Sequence, residues 1–291
     1  MRTLLMAALA CLLAVPALAA DRVKAVASFS ILGDLTERIG GERVEVVTLV
    51  GANGDGHVYQ PTPADARALA GAEVLVVNGL GFEGWMDRLI ASSGYAGPVV
   101  VAARAVTPRA MDGGGQAVDP HAWQDLGNAR LYAEAIAAGL SGADPEGADA
   151  YRANLAAWLE ELAATEAEVR ALVASLPEDR RKVITSHDAF GYFAEAYGLR
   201  FIAPQGVSTE AEASAATVAA LIRQIRQEGV RALFVENISD RRLIEQIARE
   251  TDAVIGGTLY SDALSEPDGP APTYLDMVRH NLRTLGAALR P

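Results

Sequence analysis

Histidine is scarce in this 291-residue sequence, with four residues: His57, His121, His187 and His280. A neutral imidazole binds transition metals, and its pKa lets it move protons near neutral pH. His57 lies in GDGHVYQPTP, His121 in DPHAWQD and His187 in ITSHDAFGYF. All three are expected at the loop ends of strands, where open α/β sheets bind their ligands. The intervals between them are too long for a local motif, so only tertiary structure could unite them. There is no HExxH, no GxSxG and no phosphate-binding glycine loop, and Gly79-Leu80-Gly81 is too short for a dinucleotide fingerprint. Asp262 in GTLYSDALSEP and Glu236 in LFVENIS also fall at expected strand ends. Taken alone, each carboxylate reads equally well as a loop residue or a helix cap. His280, in the middle of the last helix (MVRHNLRTL), is expected to be structural or solvated.

The elements that must position these groups alternate β and α. Arg22–Ser28, Val44–Val50, Glu73–Val77 and Pro98–Ala102 read as strands, with helices over Ile31–Ile39, Thr62–Ala70 and Phe82–Ala91. The segment Met111–Pro120 (MDGGGQAVDP) is a loop, since three glycines and a proline break any regular element. Asp144-Pro145-Glu146 then opens a helix in the favoured order of cap, first-turn proline and acidic residue. Apolar residues recur at Tyr151, Leu155, Trp158, Leu162, Val169, Leu172 and Leu176, predicting one helix of about 30 residues, or about 45 Å. A second series follows, with strands at Lys182–Ser186, Arg200–Ala203, Arg231–Glu236 and Ala253–Thr258. Its helices are Ala189–Tyr197, Ser214–Gln227, Arg241–Glu250 and Tyr274–Leu289. The expected fold is α/β: two lobes, each a mostly parallel sheet flanked by helices, joined by one long rigid helix. The expected divisions are a signal peptide over 1–19, an N-terminal metal-binding lobe over 20–143, the connecting helix over 144–177, and a C-terminal metal-binding lobe over 178–291.

Composition narrows the function classes. Lys and Arg number 25 against 37 Asp and Glu, a net charge of −12, which argues against nucleic-acid binding. Arg2, the apolar run Leu4 to Val15, and Ala17-Leu18-Ala19 have the layout of a cleaved secretory signal. The single cysteine, Cys11, lies inside that run after Ala8-Leu9-Ala10, with Ala where a lipoprotein signal usually has Leu. Lipoprotein anchoring is therefore disfavoured, and the expected location is the periplasm. Without Cys11, the exported chain uses neither disulfides nor thiolate ligands.

In order, ASFSILGDLTERIGG, GANGDGHVYQPTPAD, DPHAWQD, the long helix, TSHDAFGYFAEAYGL, FVENISD, LYSDALSE and YLDMVRHNLRTL resemble the ZnuA/TroA-like zinc/manganese solute-binding proteins of ABC importers. The resemblance covers nearly all of the chain after the signal. It implies a metal held between the lobes by His57 and His121 from the first and His187 and Asp262 from the second, with Glu236 at most supporting them. It also implies a non-enzymatic role: a monomer that delivers its cargo to an ABC permease in the inner membrane, with a metal-donating chaperone as a further candidate partner. One departure is the short MDGGGQAVDP, which has no histidine where many zinc-type members carry a long His-rich and acidic loop.

Three imidazoles and a carboxylate suit a four-coordinate Zn2+ cargo. Mn2+ (or iron) in the same site is the alternative, because metal availability also decides occupancy. A His₃ zinc hydrolase requires that Asp262 is not a ligand, leaving an open position for water. A siderophore or haem pocket is disfavoured by aromatic residues at only 6%.

Overall fold

The computed structural model describes residues 22–111 and 118–290. The signal run with Cys11 and most of the glycine loop lie outside those residues. Strand β1 (Val23–Phe29) leads into α1 (Ser30–Gly40), followed by β2 (Val44–Val50), α2 (Pro63–Ala70), β3 (Val74–Val77), α3 (Met86–Ser93) and β4 (Val99–Val101). The strands form a parallel sheet in the order β2-β1-β3-β4. β1 and β3 are almost wholly buried, as central strands covered on both faces must be. Thr62 and Asp65 form a reciprocal capping box at the start of α2, with Pro63 at its first position. Helix α3 begins at Met86 instead of the expected Phe82. Gly79, Leu80 and Gly81 all have positive φ (85°, 55° and 82°), which prolongs the turn after β3.

Helix α4 (Leu126–Ala143) is an element to which the sequence reading assigns nothing. Asp144 then accepts from the Gly147 amide at 3.1 Å and caps a short 3₁₀ turn, after which α5 runs from Ala148 to Ser175. Its 28 residues span about 42 Å. Tyr151, Trp158, Leu162, Val169 and Leu172 are buried along it, and it packs against α1, α4, α6 and α9.

The second half comprises β5 (Lys182–Ile184), α6 (Gly191–Tyr197), β6 (Arg200–Ile202), α7 (Ala215–Glu228), β7 (Ala232–Glu236), α8 (Arg241–Arg249), β8 (Val254–Leu259) and α9 (Tyr274–Leu289). Its parallel sheet has the order β6-β5-β7-β8. The two-lobe α/β architecture with a long joining helix is therefore the observed one. One apolar core runs from β1 through α4 and α5 into α6 and α9. A smaller one, including Ile184, Leu221, Leu233 and Ile244, lies between the second sheet and α7 and α8. Because the larger core continues across the junction, α5 acts as a strut between the lobes. Trp158 lies 6.2 Å from the Tyr274 ring of α9, and removing so buried an aromatic costs about 3–5 kcal/mol. Among the described residues, no helix is long and apolar enough to cross a membrane.

Candidate metal centre

His57 sits on the loop between β2 and α2. Its amide donates to Asp55 Oδ1 at 2.9 Å, and its ring packs edge-on against Phe82 with centroids 4.7 Å apart. His121 follows the glycine loop and directly precedes a short 3₁₀ turn (Ala122–Gln124). Asp119 Oδ1 accepts its amide at 3.0 Å and lies 2.8 Å from its Nδ1. His187 follows β5. Glu236, the last residue of β7, accepts its amide at 2.8 Å through Oε1 and places Oε2 2.6 Å from its Nδ1. Asp262 follows β8, and its position is fixed from the other lobe. Trp123 Nε1 and Gln124 Nε2 both donate to the neighbouring Ser261 carbonyl, at 2.9 and 2.7 Å.

The fold brings His57, His121, His187 and Asp262 together, with one donor atom from each within 4.8 Å of the others. His57 Nε2 is 3.2 Å from His121 Nε2 and 3.1 Å from Asp262 Oδ2. His187 Nε2 and His121 Nε2 are 3.1 and 3.7 Å from the same oxygen. Four donors about 2.1 Å from one ion in a tetrahedron stand about 3.4 Å apart, so these separations are those of donors sharing a cation. The cluster can therefore coordinate a divalent ion, consistent with Zn2+ or Mn2+ as cargo. His280 stands apart, half-buried on α9, with Nε2 3.0 Å from the Thr258 carbonyl.

Two carboxylates sit behind the imidazoles. Asp119 against His121 and Glu236 against His187 hold Nδ1 and thereby turn Nε2 inward, an arrangement that also raises ligand basicity. Glu236 thus has the supporting place the family resemblance implies. Asp119 was not anticipated from the sequence, although it lies two residues before His121, and that spacing was its only local signal. Arg109 Nη1 donates to Asp119 Oδ2 at 3.3 Å, and Tyr192 OH donates to the Asp119 carbonyl at 3.2 Å. The support of His121 therefore reaches α6 in the other lobe.

Burial alone would depress the histidine pKa values, but the surrounding carboxylates outweigh it. Asp262 and Asp119 push His121 up to about 9, and Glu236 and Asp262 raise His187 well above its ordinary value. Conversely, burial opposes the charged form of Asp262, yet His187 and His121 hold its carboxyl well below the usual range. Without a cation, the cluster balances its negative charge with protons.

A model of the family described as zinc-uptake complex component A, periplasmic, matches residues 25–288. The manganese-binding lipoprotein MntA of Halalkalibacterium halodurans is 34% identical over 271 residues, covering 92% of this chain and 89% of that protein. Among solved structures, the periplasmic zinc-binding protein TroA of Treponema pallidum superposes with a TM-score of 0.88 at 30% identity, covering 93% of this chain and 100% of that one. The manganese-bound periplasmic metal-binding protein of Candidatus Liberibacter asiaticus does so with a TM-score of 0.84 at 31% identity, covering 92% and 100%.

These relatives correct the expectation that lipoprotein anchoring is disfavoured. MntA and the relatives from Bacillus subtilis and Streptococcus pneumoniae are lipoproteins by name. With the family model matched over nearly its whole length after the signal run, the chain belongs to the ZnuA/TroA-like periplasmic metal-binding proteins, the non-catalytic solute-binding components of ABC transporters.

Proposed function

We propose that His57, His121, His187 and Asp262 hold one Mn2+ as cargo, with Fe2+ accepted by the same site, for delivery to the cognate permease. The observation that carries this reading is Asp262 Oδ1, a buried oxygen with no hydrogen-bond partner. A carboxylate that offers Oδ1 as well as Oδ2 to the ion makes a five-donor N3O2 set. Zinc in closed protein sites settles into four-coordinate tetrahedra, whereas harder Mn2+ favours more oxygen and higher coordination. The relatives' names lean the same way. Several are named for manganese and YfeA of Yersinia pestis for iron, although TroA is named for zinc. The zinc preference expected from a four-donor set gives way on these grounds.

Affinity in vitro does not decide the cargo, because the divalent series places Zn2+ above Mn2+ in most N/O sites. Uptake does. Deleting the gene in a strain without a redundant importer should lower manganese accumulation under manganese limitation and leave zinc accumulation unchanged. The opposite pattern would return the site to zinc. In keeping with the relatives' names, Cys11 would carry a lipid that tethers the protein near its permease. Mass spectrometry of the mature N-terminus should find acylated Cys11, and a terminus immediately after Ala19 would exclude it.

A further inference from the structure

Among the four converging residues, only His57 retains exposure, 9% against 0% for each of the others. His57, on the loop 51–61, is thus the member of the cluster that faces solvent. Three hydrogen bonds fasten this loop to the opposite lobe. The Asn53 amide donates to the Leu264 carbonyl at 2.9 Å. Asn237 Nδ2 donates to Asn53 Oδ1 at 3.2 Å, and Thr209 Oγ1 donates to Asp55 Oδ2 at 2.6 Å. The other Asp55 oxygen accepts the His57 amide, so one carboxylate joins a candidate ligand's backbone to the far lobe.

Each partner on the far side neighbours the cation site. Leu264 closely follows Asp262, and Asn237 adjoins Glu236. Thr209 accepts at its carbonyl from Gln205 Nε2 at 3.4 Å, and Gln205 pairs through its backbone with His187. Asn53 has a φ of +54°, a left-handed conformation that a non-glycine residue keeps where its surroundings hold it. Asp55, Ser186 and Thr209 also line one end of a cleft of about 990 Å³ between α7 and α8. None of the four donor residues lines that cleft, so solvent in it meets the seam at Asp55 and Thr209.

We propose that Asn53, Asp55 and Thr209 form an interlobe latch that sets how long the cation stays bound. They act as positioning residues: none need touch the ion, but His57 cannot leave the other three donors until these bonds part. The inference rests on the proposed cargo site. A hydroxyl-to-carboxylate bond is charge-assisted, so losing it should speed release about tenfold. The exposed Asn53 bond competes with water, and its loss should give about threefold.

The test loads the full protein with Mn2+, mixes it with excess EDTA and follows release through Trp123, whose ring is 5.3 Å from that of His121. Thr209→Val keeps the volume and removes the hydroxyl. It should release about tenfold faster, with an unchanged electron paramagnetic resonance spectrum of the bound manganese, and Thr209→Ser should restore the wild-type rate. Asn53→Gly keeps the left-handed backbone, removes the side-chain acceptor and carries the test independently should Thr209→Val fold poorly. Wild-type release from the folded variants overturns the latch. Faster release with an altered bound-metal spectrum, or without rescue by Thr209→Ser, overturns it too, because ligand geometry would then be the cause. Failure of the wild-type protein to bind Mn2+ would instead overturn the cargo site, before any rates are compared.

Discussion

At neutral pH the site must shed protons to take up a cation, and the size of that exchange can be worked from His121. Its pKa is pushed up to about 9 in the metal-free protein, because Asp262 and Asp119 outweigh the effect of burial. At pH 7 the ring is therefore protonated, two pH units below its midpoint, and binding must displace that proton. Each unit is worth about 1.4 kcal/mol, so this group alone should weaken apparent affinity about 100-fold at pH 7 relative to the fully deprotonated site, and about 50-fold relative to pH 9. His187, raised by Glu236 and Asp262, adds in the same direction. Affinity should thus climb with pH from 7 and level off as His121 deprotonates. The same shift affects metal-free stability with the opposite sign. A raised histidine pKa contributes stability that is complete below about 6.5 and lost as pH rises through about 9. The assay is calorimetric titration with Mn2+ from pH 7 to 9 in two buffers of different ionisation enthalpy. At least one proton should be released per ion near pH 7. Affinity that stays flat across this range, with a heat independent of buffer, would refute the reasoning.

Three substitutions extend the account. Asp119→Asn removes the charge behind His121 while keeping a polar partner, and should weaken metal binding about 10- to 100-fold by competition titration; unchanged affinity would make Asp119 a bystander. Asp262→Ala removes the site's oxygen donors and leaves three imidazoles, so Mn2+ binding should fall about 100-fold or more, and by a larger factor than Zn2+ binding. Equal losses for the two metals would argue against a special role of the carboxylate in holding manganese. Asp34, whose carboxylate accepts the Tyr274 amide at the start of α9, is pushed up to about 6 by burial. Keeping it ionised at pH 7.5 costs up to about 3 kcal/mol, so wild-type stability should fall as pH rises from about 4 through 6. Asp34→Asn should raise metal-free stability at pH 7.5 by about 1–3 kcal/mol and lose that advantage near pH 4, and parallel melting profiles for the two proteins would contradict this.

Much of the fold was legible because its elements write local patterns. The apolar spacing from Tyr151 to Leu176 marks α5, and Thr62-Pro63 with Asp65 marks the start of α2. Helix α4 was not, because alanine, glycine and Leu131 also occupy its outer face and flatten the apolar contrast that periodicity needs. Leu126, Ala129, Tyr132, Ala133, Ile136, Ala137 and Leu140 are buried in a helix packed against α1, α5 and the first sheet, with alanine where contacts are close. The three site histidines stood out by scarcity and by their places at strand ends. Asp262 needed the family resemblance, since an isolated loop carboxylate carries no signature. Asp119 and the unpartnered Asp262 Oδ1 could not be found that way, because orientation and hydrogen-bond satisfaction arise only when distant segments meet. The donor types alone pointed to zinc, and the manganese proposal draws on that oxygen as well.

The central claim is that one Mn2+ binds at the interlobe cluster of His57, His121, His187 and Asp262. Electron paramagnetic resonance during a titration of Mn2+ into metal-free protein tests it most directly, because the sharp six-line signal of the hydrated ion is lost when the ion enters a protein site. In the wild-type protein the account predicts no free signal until one equivalent has been added. In a folded His121→Ala/Asp262→Ala variant, free signal should appear from the first addition. Free signal from the start in the wild-type protein, or one equivalent still captured by the variant, would contradict the account.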